Sequence, residues 1–113
     1  GGLFVHSCGN FAHNLDALAK IKNLRGINFG ATETPFPAVV EKFSGKAVLI
    51  PHIGLNKETR FDRVLDYVEA MLSQKKTNRG LFIIVDTSPR SRAYPIRWQD
   101  KDIDQVYALV EEH

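Results

Sequence analysis

Four short apolar runs, Leu3 to Val5, Gly26 to Phe29, Ala47 to Ile50 and Leu81 to Val85, recur along the chain with segments of helical period between them. None shows the apolar-polar alternation of a sheet wet on one face, so they read as parallel strands covered on both faces. Strand and helix in regular succession is the pattern of repeated βα units. The sequence therefore predicts an α/β fold of four βα units with parallel strands, in one domain spanning residues 1–113.

The first helix is expected over roughly Phe11 to Ile21, with Phe11, Leu15, Leu18 and Ala19 on one face. A second begins at Thr34-Pro35, a capping residue followed by a proline in the first turn. It places Phe36, Val39, Val40 and Phe43 on one stripe and stops at Gly45. The third, Glu58 to Gln74, carries Phe61, Val64, Leu65, Val68, Met71 and Leu72 at amphipathic spacing. A fourth, from Asp100, is expected to bury Ile103, Val106, Tyr107 and Val110, while Asp100, Asp102 and Asp104 favour its positive N-terminal end. Four such units make a small open sheet or half of an eight-unit barrel.

Composition narrows the setting. With 43% apolar residues in 113, the chain suits one globular domain. Its single cysteine excludes an internal disulfide and fits a reducing, cytoplasmic compartment. No apolar run approaches bilayer length and no secretion signal is evident, so no membrane partner is expected. A net charge of +2 with dispersed Lys and Arg gives no electrostatic footprint for nucleic acid. The densest basic spot, Lys75-Lys76 with Arg79, falls where the third helix should end and complements its dipole.

Parallel βα topology puts whatever follows each strand on one rim. There stand His6, Cys8 and Asn10 after the first strand, Asn28, Thr32 and Glu33 at and after the second, Pro51 and His52 after the third, and Asp86, Thr87 and Ser88 after the fourth. That rim is where βα proteins build active sites and bind small-molecule substrates. His6 and Cys8, separated by Ser7 and followed by Gly9, can ligate one zinc ion if the backbone turns between them. Zinc needs at least a third protein ligand, and His52, Asp86 and Glu33 are the available donors. A structural thiol at Cys8 and a hydrogen-bonded strand-end histidine at His6 are the alternative. The long segment Asp86 to Trp98 carries Arg90, Arg92 and Arg97, suited to carboxylates or phosphates. His13 is expected on the helix surface, and Trp98 as a packing anchor.

On these residues the chain resembles the C-terminal half of the uroporphyrinogen decarboxylase superfamily, which includes cobalamin-linked methyltransferases. The matching segments are Leu3-Phe4-Val5-His6-Ser7-Cys8-Gly9-Asn10 with the helix after it, Ala47 to Ile50, and Leu81 to Val85 with Pro95 downstream. The resemblance spans nearly the whole chain, and the His-X-Cys-Gly-Asn motif is its most specific part. It implies a TIM-type (βα)8 barrel of which this chain forms units five to eight, with the active site in the barrel mouth. In the methyltransferase branch the His-X-Cys pair and a later cysteine hold zinc, which activates a thiol for methyl exchange with a corrinoid protein. His6 and Cys8 match the pair, while the later cysteine aligns with Ser88, a poor ligand, so Asp86 or His52 would complete the set. Asn10, Arg90 and Arg92 are the residues expected to contact substrate.

The decarboxylase branch, of porphyrin biosynthesis, needs no metal. Its last strand runs into a Gly-His-Gly turn where this chain reads Val85-Asp86-Thr87-Ser88. The methyltransferase type is the first expectation, the decarboxylase the second, and a non-catalytic barrel fragment the third. A half barrel leaves two apolar strand edges, which predicts self-association, and by itself encloses no reaction.

Overall fold

In the computed structural model the described residues are 1–53, 61, 63–85 and 99–113. The strands β1 (Leu3–Ser7), β2 (Leu24–Gly30) and β3 (Val48–His52) form a parallel sheet in the order β1-β2-β3. Phe4 pairs with Gly26 and Gly26 with Val48, and one step on His6 pairs with Asn28 and Asn28 with Ile50. The fourth run lies alongside β3 in the same direction. Leu81 makes a parallel bridge to Leu49, and the Phe82 and Ile84 N–H groups donate to the Leu49 and Pro51 carbonyls at 2.8 and 3.0 Å. It is held by these bonds without extending into a fourth full strand among the described residues.

A 3₁₀ turn (Ala12–Asn14) leads into α1 (Leu15–Ala19), followed by α2 (Phe36–Phe43), α3 (Val64–Gln74) and α4 (Asp100–Glu112). Strands added in sequence order by right-handed crossovers bring each connecting helix to the same side of the sheet. One core results. Ile27 and Phe29 of β2, Leu49 of β3 and Ile53 just after it are buried with Phe36, Val39, Val40 and Phe43 of α2 and Val64, Tyr67, Val68 and Met71 of α3. The Phe29 ring lies 6.0 Å from Phe36 in a stack and 6.2 Å from Phe11 edge-on. The Tyr67 hydroxyl donates to the Pro51 carbonyl at 2.9 Å and lies 3.3 Å from that of Ile84, which ties α3 to the third and fourth runs.

Among the described residues, helices cover one face of the sheet and not the other. Phe4 and Phe82 are 61% and 63% exposed, and Ile84 is exposed beside them. The apolar runs did place apolar residues on both faces, but a run of that kind says nothing about what covers the second. Phe4 lies across Gly26, where an added Cβ would come within 2.2 Å of its ring. The missing side chain of Gly26 makes room for that ring.

Helix boundaries depart from expectation where packing is thin. The first helix is short, its N-terminal part wound as 3₁₀, with Phe11 and Leu15 buried, Leu18 packed at the core's edge and Ala19 exposed. The second starts at Phe36 with Pro35 as its cap, and no side-chain capping bond is made. Gly45, at φ +79°, ends it as expected. The third begins at Val64 behind an extended Arg63, with Phe61 outside the helix, so it starts later than the expected Glu58, which itself lies outside the described residues. The fourth begins at Asp100, where the Gln99 N–H donates to the Asp102 carboxylate at 2.8 Å. Of its expected stripe only Val106 packs against the core, joined by Leu109, while Ile103, Tyr107 and Val110 are exposed. α4 packs chiefly on α3, and a helix-on-helix contact uses a narrower strip than a helix laid on a sheet. Among the described residues no helix is long and apolar enough to cross a membrane.

Candidate functional site

His6, Asn28 and His52 come from three successive strands and meet on the uncovered face of the sheet, toward the strands' C-terminal ends. His6 lies within β1, not after it. Its Nδ1 is 2.5 Å from Asn28 Oδ1, and its Nε2 is 3.2 Å from the sulfur of Cys8. Asn28 Nδ2 donates to the Ile50 carbonyl at 2.8 Å and to His52 Nδ1 at 3.1 Å. The two imidazoles are nearly parallel, with ring centroids 5.7 Å apart. Burial, then the neighbouring His6, lowers the His52 pKa from its ordinary 6.5, opposed by the Glu33 carboxylate.

The segment carrying Cys8 is fastened from the β2–α2 connection. Gly9 takes φ +76°, a conformation that costs a residue with a Cβ, and so reverses the chain just after the thiol. Its N–H donates to Glu33 Oε2 at 3.0 Å. The Phe11 N–H donates to the Thr34 hydroxyl at 3.1 Å, and that hydroxyl donates to the Gly9 carbonyl at 3.2 Å. Thr34 is fully buried. The other Glu33 oxygen is buried with no hydrogen-bond partner among the described residues. Asn10 serves its own turn, its Oδ1 accepting from the Ala12 N–H at 3.0 Å.

The structure thus brings together His6, Cys8 and His52, with Asn28 at the centre. Asp86, Thr87, Ser88, Arg90, Arg92, Arg97 and Trp98 lie outside the described residues. His13 is exposed as expected, and Cys8 is exposed too. The role of Asn28 went beyond its place on the expected rim; its signal in the sequence is an amide between Ile27 and Phe29 in an otherwise apolar strand. Thr34 gave no such signal, since a threonine before a proline suggests a helix cap.

Among the described residues, no three His, Cys, Asp or Glu side chains are grouped so as to hold a metal. Two donors, His6 Nε2 and Cys8 Sγ, do face each other. Neighbouring nitrogen and sulfur ligands of a tetrahedral zinc stand about 3.5 Å apart, slightly beyond their 3.2 Å. As an imidazole-thiol pair they can share a proton, or receive a metal in its place. Comparison with known proteins finds no matching family model, no matching curated protein and no matching solved structure.

Proposed function

We propose that this chain is the C-terminal half of a uroporphyrinogen decarboxylase-type (βα)8 barrel of the methyltransferase kind, with His6 and Cys8 as two zinc ligands in its mouth. The observation that carries this reading is the approach of His6 Nε2 to Cys8 Sγ at the C-terminal end of a parallel strand. The sheet supports it further: helices cover one face, and the other presents Phe4, Phe82 and Ile84 as a barrel's inward face would.

His6 and Cys8 would hold the metal, with the third protein donor coming from Asp86 or from His52. Zinc bound there supplies the Lewis acidity that keeps a substrate thiol ionised, ready for methyl exchange with a corrinoid protein. The chain's own part is positional. β1 carries the imidazole, Cys8 follows it two residues on, and Glu33 and Thr34 hold the Gly9 turn beyond the thiol. Asn10, Arg90 and Arg92 are assigned to substrate contacts, and a cytoplasmic location goes with the free thiol.

The test is metal stoichiometry of the purified chain equilibrated with zinc, repeated with cobalt(II) to read thiolate ligation by absorbance. One equivalent is expected, lost in Cys8→Ser and in His6→Ala. A parent chain that binds none, or a Cys8→Ser variant that binds as well as the parent, overturns the proposal. Porphyrinogen turnover by a metal-free intact barrel would assign the decarboxylase branch instead.

A further inference from the structure

We infer that Asn28 is a positioning residue that gives the two histidines of the rim opposite tautomers, leaving His6 Nε2 as the lone pair that faces Cys8 and making His52 a hydrogen-bond donor through Nε2. The argument starts at the Ile50 carbonyl. A carbonyl only accepts, so the Asn28 atom 2.8 Å from it is the amide nitrogen. Turning the amide over would set two acceptors against each other. The amide oxygen therefore faces His6, and an oxygen without a hydrogen requires its partner to donate. His6 Nδ1 carries the proton.

In a neutral imidazole the other nitrogen then has the lone pair, and that nitrogen is the one 3.2 Å from the Cys8 sulfur. The second hydrogen of the Asn28 amide points the other way, to His52 Nδ1 at 3.1 Å. That nitrogen must accept, so the His52 proton sits on Nε2. One amide, held by one backbone carbonyl, thereby sorts two stacked imidazoles into a ligand and a donor.

The sorting has a consequence for metal choice, and this part rests on the methyltransferase reading. For His52 to ligate through Nε2, its proton would have to move to Nδ1, against the Asn28 amide hydrogen. Asn28 thus selects His6 and excludes His52 as a ligand, so the third donor must come from another residue. His52 is left to donate to a substrate oxygen or other acceptor at the same rim.

The experiment reads tautomers directly, by nitrogen-15 spectra of histidine-labelled protein at about pH 8, above the ordinary imidazole range. In the parent chain His6 is expected with its proton on Nδ1 and His52 with its proton on Nε2. Asn28→Asp keeps an acceptor for His6 but puts an acceptor in place of the donor to His52, so His6 holds its tautomer while the His52 proton moves to Nδ1. Asn28→Leu releases both and weakens zinc binding by about 10–100-fold, as loss of a ligand-orienting partner does. His6 protonated on Nε2 in the parent, or an Asn28→Asp spectrum with His52 unchanged, overturns the inference. Both of those spectra are read without metal. A parent chain that shows the stated tautomers yet binds no zinc supports the assignment of Asn28 while ending the metal reading.

Discussion

Thr34 has no exposed surface, and its hydroxyl works on both sides, accepting from the Phe11 N–H and donating to the Gly9 carbonyl. Thr34→Val keeps the shape and strands both backbone groups. It is expected to cost about 1–3 kcal/mol in urea unfolding, with Thr34→Ser costing less. The sequence suggested a helix cap at this position because local neighbours are all that a single chain segment displays. The partners that claim the hydroxyl are 23 and 25 residues away, and no local pattern announces them. His6 and Cys8 were legible for the opposite reason, since a two-residue spacing brings its own geometry. His52 carries a pH prediction. Its pKa is lowered on folding, so below the ordinary 6.5 the unfolded chain binds more protons than the folded one. Stability is full above that pH and falls as pH drops through the lowered folded value. Unfolding midpoints measured at several pH values should show the decline, and His52→Gln should flatten it.

At the scale of elements, periodic patterns were recovered where an element meets a broad core. α2 uses its predicted stripe in full, and α3 sends Val64, Val68, Met71 and Leu72 into the shared core, with Leu65 buried outside it and Phe61 packed against it from beyond the helix. α4 does not use its stripe in full, and its apolar residues split between contact and solvent. Met71, almost fully buried on α3, and Tyr107, 69% exposed on α4, belong to stripes of similar appearance in the sequence. Met71→Ala is expected to cost about 2–5 kcal/mol, and Tyr107→Ser to stay within about 0.5 kcal/mol, both read by chemical denaturation. Equal losses would mean that α4 buries more of its face than its contact with α3 accounts for. The strands run further than the apolar runs did. β1 continues through His6 and Ser7, and β3 through Pro51 and His52, because backbone pairing with β2 persists where the side chains turn polar. The ion pairs Lys42–Asp16 and Lys76–Glu41 link elements at the surface and lower both carboxyl pKa values, chiefly through the hydrogen bond from each lysine. Solvent screens them, so they add little to stability.

For the molecule as a whole, parallel strands with helices between them were legible in the sequence, and the uncovered face was not. An apolar run looks the same whether its second face meets a helix layer, a barrel interior or solvent. That face also bears on behaviour in solution. β1 pairs only with β2 among the described residues, and Leu3 and Phe4 on it are exposed. An exposed apolar edge of this kind is a template for pairing. Sedimentation of the purified chain should show concentration-dependent association, reduced by the Phe4→Lys and Phe82→Lys pair. A monomer at every concentration would argue that the edge and the open face are protected.

The amide of Asn28 also has a mechanical meaning. By reaching His6 on one side and Ile50 and His52 on the other, it stitches three neighbouring strands together toward their C-terminal ends. Fraying of the ladder should therefore begin at the opposite end. In hydrogen-deuterium exchange the amides near Leu3 and Leu24 are expected to gain deuterium before those near Ser7 and Gly30, and Asn28→Leu should erase that order.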